Sequence, residues 1–424
     1  MERVVQFLDR YLSGPVVKLA EQRHLQAVRN GVISALPFII IGSFFLIIAF
    51  PPVPENSAIA RWAEEHVREI LIPYRLTMFI MSLYIVYGIG YNLAKSYRID
   101  PLAGAQISVA AFLLTITPHT IDEVGEVLPM TNLGGRGLFV AILTSLVAVE
   151  ILRFCKRKNW TIKMPDQVPP ALIRSFEALI PVAITVVLMT LITVVFRIDL
   201  HAVIGKLVSP LVTVGDSLLG VLVPVFLITF FWSLGIHGDS IVGTIARPLW
   251  EVFLANNAEA VVAGKAIPHA APETFFQWFV WIGGSGATFG LVLCMLFFAR
   301  TKYSKTLGKT ALAPSIFNIN EPVIFGVPIM LNPIMIIPFV ITPLITSTLS
   351  YFATVLGFVT PTYVMPPWTL PAPIGAYLAT GGDWRAVALV VVNVAISFVI
   401  YYPFFRMHER KLVEEEETEQ RIGA

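Results

Sequence analysis

The feature that most constrains this chain is the length of its uncharged runs. Residues 322–382 form 61 consecutive positions without Asp, Glu, Lys or Arg. As one helix that stretch would measure ~90 Å at ~1.5 Å per residue. The hydrocarbon core of a bilayer is ~30 Å thick and is crossed by ~20 apolar helical residues. Further charge-free runs cover 30–54, 76–94, 101–121, 137–149, 178–196, 217–238, 274–299 and 386–405. Membrane barrels show ~10-residue segments of alternating polarity instead, so strands are not expected. Composition agrees: 56% of the 424 residues are hydrophobic and 14% charged, against ~25% charged in a typical soluble domain. A soluble enzyme, a disordered chain, a collagen and a nucleic-acid binder are set aside. The net charge of +2 is too small for a phosphate-binding footprint. The expected fold class is an all-α polytopic membrane protein.

Lys and Arg in short loops orient such a protein, because they stay on the cytoplasmic side. Lys18, Arg23 and Arg29 precede the first run, and Lys95 and Arg98 follow the second. Arg153, Lys156, Arg157, Lys158 and Lys163 follow the fourth, whereas the loop after the third carries Asp122, Glu123 and Glu126. The N-terminus, amphipathic through Val4, Val5, Phe7, Leu8, Tyr11 and Leu12, is thus expected inside. Residues 199–216 read as an interfacial helix broken by Pro210 and as the seam between two halves. Arg300, Lys302, Lys305 and Lys309 mark a later cytoplasmic loop, and Arg406, Arg410 and Lys411 place the C-terminus inside. Parity then requires a crossing through the short segment 241–254, one by 274–299, and an odd number within 322–382. The total is about ten, with both termini cytoplasmic.

The 322–382 run is cut by Pro328, Pro333, Pro338, Pro343, Pro361, Pro366, Pro367, Pro371 and Pro373. Irregular backbone at membrane depth survives only where it is buried in protein or lines a wet cavity. Broken helices near the midplane mark transporter binding sites. One long crossing plus re-entrant pieces around 313–329 and 359–377 is therefore expected; three ordinary kinked helices are the alternative.

Two stretches can carry chemistry. In Phe317-Asn318-Ile319-Asn320-Glu321-Pro322-Val323-Ile324-Phe325-Gly326 a carboxylate and two amides lie between a basic loop and a deeply apolar run. An ionisable group there is costly and by default functional. Pro322 disfavours helix at Glu321, which puts Asn320 and Glu321 at a helix break. The alternative is a carboxylate at the membrane surface. In Trp232-Ser233-Leu234-Gly235-Ile236-His237-Gly238-Asp239 a histidine is flanked closely by Gly235 and Gly238, which let the backbone turn or approach a ligand. Trp with His and a carboxylate suits a sugar, the ring covering the C–H face and polar groups taking the hydroxyls. His237 as a satisfied interfacial residue and Trp232 as an interface anchor are the competing readings. Trp368, in the proline-rich run 361–377, is either a second stacking wall or part of an outer loop.

Other patterns fail. No metal-ligand spacing appears, and no metal or cofactor is expected. Residues 283–290, GGSGATFG, match neither phosphate-binding glycine motif, and Gly286 with Gly290 read as a small-residue pair for helix packing. Ser285 lacks a complete nucleophile elbow because position 287 is Ala. Cys155 and Cys294 read as reduced and structural.

The Asn320-Glu321-Pro322 motif continues as Ile324-Phe325-Gly326 and Leu331-Asn332-Pro333. It resembles the enzyme IIC permeases of the phosphoenolpyruvate-dependent phosphotransferase system, of the lactose/cellobiose/diacetylchitobiose type. Trp232 with Gly235-Ile236-His237-Gly238 fits a second motif, and Gln22-Arg23-His24-Leu25 fits the N-terminal end. The resemblance covers nearly the whole chain. It implies ten helices plus re-entrant hairpins, with a scaffold and dimerisation half at 1–198 and a sugar-binding transport half at 199–424. It implies a homodimer that binds a β-linked disaccharide and moves it inward. The sugar's 6-hydroxyl is phosphorylated by a phosphocysteine on a cytoplasmic IIB protein, itself served by a IIA. Membrane segments use almost all of the sequence, so IIB is expected as a separate partner. The chain would then belong to a phosphotransferase complex without carrying the phosphoryl group itself. Glu321 and His237 would be catalytic, with Asn320, Trp232, Gly238 and Trp368 on the sugar. Arg300, Lys302, Lys305 and Lys309 would attract IIB or anionic membrane lipid. The competing function is an ion-coupled secondary sugar transporter, with Glu321 and His237 as a proton relay.

Overall fold

The structure is a computed structural model that describes residues 18, 21–162, 164–165, 167–330 and 332–422. The amphipathic pattern at Val4–Leu12, Lys163 of the basic loop and Leu331 lie outside the described residues. Among those described, six helices are long and apolar enough to cross a membrane: Arg23–Ala49, Val67–Ser96, Gly135–Arg157, Leu172–Val195, Pro333–Val355 and Trp384–Glu414. The bent pair Leu200–Gly215 and Leu218–Ser233 makes a seventh.

Contacts divide the chain into two compact units. The first contains the chain up to Gly42, Leu71–Thr213 and Arg247–Asn256; the second contains Ser43–Ile70, Val214–Ala246 and everything from Asn257 on. The segments of the two units alternate along the sequence.

The labelled elements begin with α1 (Arg23–Ala49), α2 (Ala58–Glu65), α3 (Val67–Arg75), α4 (Met81–Ser96), α5 (Pro101–Leu113), α6 (Leu138–Arg157) and α7 (Pro170–Thr190). In the first unit α4, α5 and α6 pack together around Val86, Phe112, Ile116, Leu133, Val140 and Ala141. Asp100 caps α5 by accepting from the Leu102 N–H at 3.1 Å, and Pro101 occupies its first turn, where no backbone donor is missed. Gly90 and Gly104 let α4 and α5 touch backbone to backbone: a β-carbon on Gly104 would stand 2.7 Å from the Gly90 carbonyl oxygen. The acidic loop holds a small hairpin, β1 (His119–Ile121) with β2 (Gly125–Val127), pairing His119 with Val127. This corrects the expectation of no strand at all. It forms because Glu123 and Gly125 take left-handed backbone, φ 68° and 90°. Further along, Glu150 on α6 gathers His24 at 2.9 Å, Arg153 at 3.0 Å and the Tyr97 hydroxyl. The Arg153 and Arg23 guanidinium carbons lie 4.0 and 4.8 Å from the Tyr97 ring centre.

The remaining helices are α8 (Leu200–Gly215), α9 (Leu218–Ser233), α10 (Gly238–Val262), α11 (Phe289–Phe298), α12 (Lys302–Ile316), α13 (Glu321–Gly326), α14 (Pro333–Val355), α15 (Ala372–Ala379) and α16 (Trp384–Ile422). In the second unit α16 packs against α11, α14 and α15, and α9 packs against α14. Cys294 in α11, like Cys155 in α6, is buried and free.

Three expectations change. Helix α8 runs unbroken through Pro210, so that proline does not interrupt the segment. The run 274–299 is not one helix. A helical turn at Glu273–Phe275 passes into the π-helical Phe276–Val280, and α11 begins only at Phe289. Between them Gly283, Gly284, Gly286 and Ala287 all have positive φ, which no continuing helix accommodates. Gly286 is therefore a turn residue against Phe339, while Gly290 does pack within α11 against Ser397 and Phe398. The basic loop is largely helix: Thr301 caps α12 by accepting from the Ser304 N–H. Lys302, Lys305 and Lys309 share its exposed face, opposite buried Ser304, Gly308 and Ala311.

Within 322–382 the structure has one long apolar helix, α14, flanked by irregular pieces. The chain breaks between α12 and α13 at 317–320. An extended stretch then folds back on α15, with the Tyr363 N–H donating to the Ala379 carbonyl at 2.9 Å.

Candidate functional site

The second unit collects most of the polar residues singled out above into one hydrogen-bonded network. Trp232 lies in the last turn of α9, and its indole N–H donates to Asp239 Oδ2 at 3.0 Å. Asp239 belongs to the first turn of α10, where the helix dipole favours an anion. The same Oδ2 accepts from the Ser285 hydroxyl at 2.7 Å. Ser285 sits in the glycine turn between Val280 and Phe289, and its carbonyl accepts from Asn320 Nδ2 at 2.5 Å. Asn320 also reaches Thr288 Oγ1 at 3.3 Å, and Thr288 ties the turn to the Gly283 carbonyl at 2.8 Å. Gly284 is required here. Its φ is +98°, and a β-carbon would lie 2.4 Å from Asn320 Cγ.

His237 is the N-cap of α10. Its Nδ1 accepts from the Ser240 N–H at 3.2 Å. An accepting Nδ1 leaves the proton of the neutral ring on Nε2, so exposed His237 presents a donor. Its ring stands 4.4 Å from the Trp232 ring, centre to centre. Gly238 has a packing reason to be glycine: a β-carbon would come 2.0 Å from the Ile228 carbonyl oxygen.

Asn318 joins three segments. Its φ is +61°, a conformation Asn tolerates better than most residues. Its Oδ1 accepts from the Gly283 N–H at 3.1 Å. Its Nδ2 donates to the Leu370 carbonyl at 3.1 Å and, at 3.5 Å, to that of Trp368. Trp368 is thus held through its backbone, and its side chain is 54% exposed.

Glu321 opens α13 directly after Asn320, at the helix break the proline implied. Its side chain is exposed and has no hydrogen-bond or ion-pair partner among the described residues. Its neighbour Asn320 is 5% exposed, and its amide nitrogen is held by Ser285 and Thr288. The network therefore anchors the backbone on which a free carboxylate stands. The structure joins Trp232, His237 and Asn320 and shows no hydrogen bond or ion pair between Glu321 and His237. The sequence reading missed Asp239, Ser285 and Asn318 as connectors. Asp239 was signalled by its place one residue after Gly238, and Asn318 by the Asn-x-Asn spacing at a helix break. Ser285 carried no signal beyond its glycines.

Comparison with known proteins gives this arrangement its context. Residues 29–343 match the family model "Phosphotransferase system, EIIC". The cellobiose-specific EIIC component of Geobacillus stearothermophilus is 41% identical, over 100% of this chain and 98% of that protein. The lichenan permease IIC component of Bacillus subtilis is also 41% identical, over 98% and 96%. The lactose-specific EIICB component of Lacticaseibacillus casei is 32% identical, over 95% of this chain and 71% of that protein. The crystal structure of ChbC, the IIC component of an N,N'-diacetylchitobiose-specific phosphotransferase system, superposes with a TM-score of 0.91 at 39% identity. That match covers 97% of this chain and 99% of ChbC. These similarities favour group translocation over the ion-coupled alternative. With its apolar helices, this chain is a multi-pass cell-membrane protein that belongs to the EIIC family of phosphotransferase-system sugar permeases.

Proposed function

We propose that this chain binds a β-linked disaccharide of the cellobiose, diacetylchitobiose or lactose class, moves it inward and presents its 6-hydroxyl for phosphorylation. The observation that carries the reading is the unpartnered Glu321 carboxylate on a backbone anchored by Asn320, Ser285 and Asp239. The sugar classes come from similar permeases for cellobiose, diacetylchitobiose and lactose. The donor is a phosphocysteine on a IIB partner, charged in turn through IIA. The sugar 6-oxygen attacks phosphorus, the phosphorus–sulfur bond breaks, and the hydroxyl proton passes to Glu321. Phosphoryl transfer depends mostly on positioning and charge stabilisation, and a carboxylate with no partner among the described residues is available for both. His237 donates from Nε2 to a sugar oxygen. Trp232 and Trp368 cover the C–H faces of the rings, and Gly238 lets the start of α10, which carries His237 and Asp239, pack closely against α9.

The same proposal includes the architecture. Ten crossings leave both termini cytoplasmic, residues 1–198 form the scaffold and dimer contacts of a homodimer, and residues 199–424 carry the sugar. Lys302, Lys305 and Lys309 form the basic face of α12 that meets IIB. The test is partner-dependent phosphorylation of radiolabelled cellobiose, diacetylchitobiose and lactose by membranes with this protein, IIB, IIA and phosphoenolpyruvate. Accumulation of unmodified sugar driven by an ion gradient, with no need for phosphoenolpyruvate, would overturn it.

A further inference from the structure

A second polar site lies where the charge-free run of α16 ends. A cavity of about 130 Å³ is lined by Arg300, Arg406, Glu409, Arg410, Val413 and Glu414. At ~30 Å³ per water it has room for one tetrahedral phosphate. Arg406 and Arg410 are four residues apart on α16, hence neighbours on one helix face. Arg300 comes from the turn before α12. Arg300 and Arg410 are exposed and Arg406 is half-buried. None of the three guanidinium groups has a hydrogen-bond or ion-pair partner among the described residues.

Two carboxylates, Glu409 and Glu414, line the cavity with the three arginines. Glu409 is 2% exposed, and four donors already occupy it. Its Oε1 accepts from the Arg300 N–H at 2.6 Å, the Thr301 N–H at 2.7 Å and the Thr301 hydroxyl at 3.0 Å. Its Oε2 accepts from the Ser304 hydroxyl at 2.7 Å. Glu409 therefore fixes the turn that brings Arg300 beside α16 and leaves the arginine forks free. Planar guanidinium groups match the paired oxygens of a phosphate.

Depth identifies the source of that phosphate. The uncharged run 386–405 is about the length that spans the hydrocarbon core, and Arg406 follows it directly. Apolar side chains beside the arginines face outward: Phe297 is 72% and Met407 52% exposed. A phosphodiester with acyl chains meets both features, whereas free phosphate meets only the first. We infer that Arg300, Arg406 and Arg410 form a headgroup site for an anionic phospholipid, separate from the sugar network and from the exposed lysine face of α12.

The test uses the full-length protein in detergent with added dioleoylphosphatidylglycerol, dioleoylphosphatidylcholine or inorganic phosphate, read by native mass spectrometry. Phosphatidylglycerol should be retained over phosphatidylcholine. Arg406→Gln with Arg410→Gln should weaken its retention about 30-fold, the ratio given by ~1 kcal/mol per juxtamembrane cation lost. Lys302→Gln with Lys305→Gln, which removes the same charge from the neighbouring face, should leave retention near wild type. Sugar affinity of each variant checks that it is folded, and Arg300→Gln alone serves if the double variant is not. Equal retention of both lipids, equal loss in the lysine control, or displacement of the lipid by inorganic phosphate at low millimolar concentration would overturn the inference.

Discussion

Glu150 and Glu321 are both carboxylates on helices of a membrane protein, and their surroundings are opposite. Glu150 in the first unit is saturated: His24, Arg153 and the Tyr97 hydroxyl converge on it. Glu321 in the second unit is bare, although its neighbour Asn320 belongs to a chain of hydrogen bonds reaching back to Trp232. Around Glu150 the polar groups complete one another. Around Glu321 they complete only the support. A functional carboxylate is told from a structural one by where its hydrogen bonds end rather than by how polar its neighbourhood is.

The sharpest way to break this comparison is to remove the same charge from both regions. Glu321→Gln should lower partner-dependent sugar phosphorylation by ~10²–10⁴-fold, the range for a positioned base. Sugar affinity should fall by less, by the ~1.5–3 kcal/mol of one hydrogen bond to a charged group. Glu150→Gln should leave both within a few-fold and lower the melting temperature instead. Affinity and phosphorylation measured on the same purified variants decide it. Normal turnover for Glu321→Gln would remove that residue from the mechanism.

The support is next. Asp239 Oδ2 holds Trp232 and Ser285 together, so Asp239→Asn replaces two charge-assisted hydrogen bonds with weaker neutral ones. Sugar affinity should fall about tenfold, ~1.4 kcal/mol, with phosphorylation of bound sugar nearly unchanged. A lower melting temperature with unaltered affinity would make Asp239 a packing residue only.

How far the sequence showed this site depended on the distance over which each residue acts. The break before Glu321 was readable because Pro322 acts on its immediate neighbour. The Trp232–His237 pair was readable because five residues separate them across one turn. The Asp239–Ser285 and Ser285–Asn320 bonds span 46 and 35 residues, and no local pattern announces them. Most long helices were legible from charge-free runs. The exception, 274–299, was apolar enough to look continuous, and its glycines read equally well as a packing stripe. Only the positive φ angles of Gly283, Gly284 and Gly286 separate the two. The helix at 302–316 was hidden for another reason: its basic exposed face drew attention, while the Thr301 cap and the small buried residues did not.

That glycine turn can be probed directly. Gly284→Ala sets a methyl group 2.4 Å from Asn320 Cγ on backbone with φ +98°. Strain of this kind costs ~1–3 kcal/mol. Thermal unfolding should show a loss of that order, with weaker sugar binding because Asn320 must move. Gly205→Ala meets nothing within 4 Å and lies inside α8, so it should leave sugar binding unchanged and, by helix propensity, not lower stability. Equal effects from both substitutions would mean that the turn does not hold the site.

The smallest effect tests whether saturation or location separates the two kinds of carboxylate. Asp383 lies in the second unit, as Glu321 does, yet it resembles Glu150. Its oxygens accept from the Thr360 N–H and hydroxyl, both at 2.9 Å, and it pairs with Arg385 at 2.9 Å. Burial alone would raise its pKa, but the hydrogen bonds from Arg385 and Thr360 outweigh it and hold the carboxyl at about 2, below the ordinary 3.8. A carboxyl with a depressed folded pKa stabilises the protein fully above its unfolded value and loses that contribution as pH falls through the folded one. Asp383→Asn should therefore melt below wild type at pH 6, and the gap should close as pH falls from about 4 toward 2. Phosphorylation and sugar affinity at pH 7 should stay near wild type, because a saturated carboxylate has nothing left to offer a ligand. The measurement is the difference in melting temperature between the two proteins across that pH range. A gap that does not change with pH would show that Asp383 contributes shape instead of charge. A large loss of phosphorylation would show that saturation does not mark a structural carboxylate in this unit.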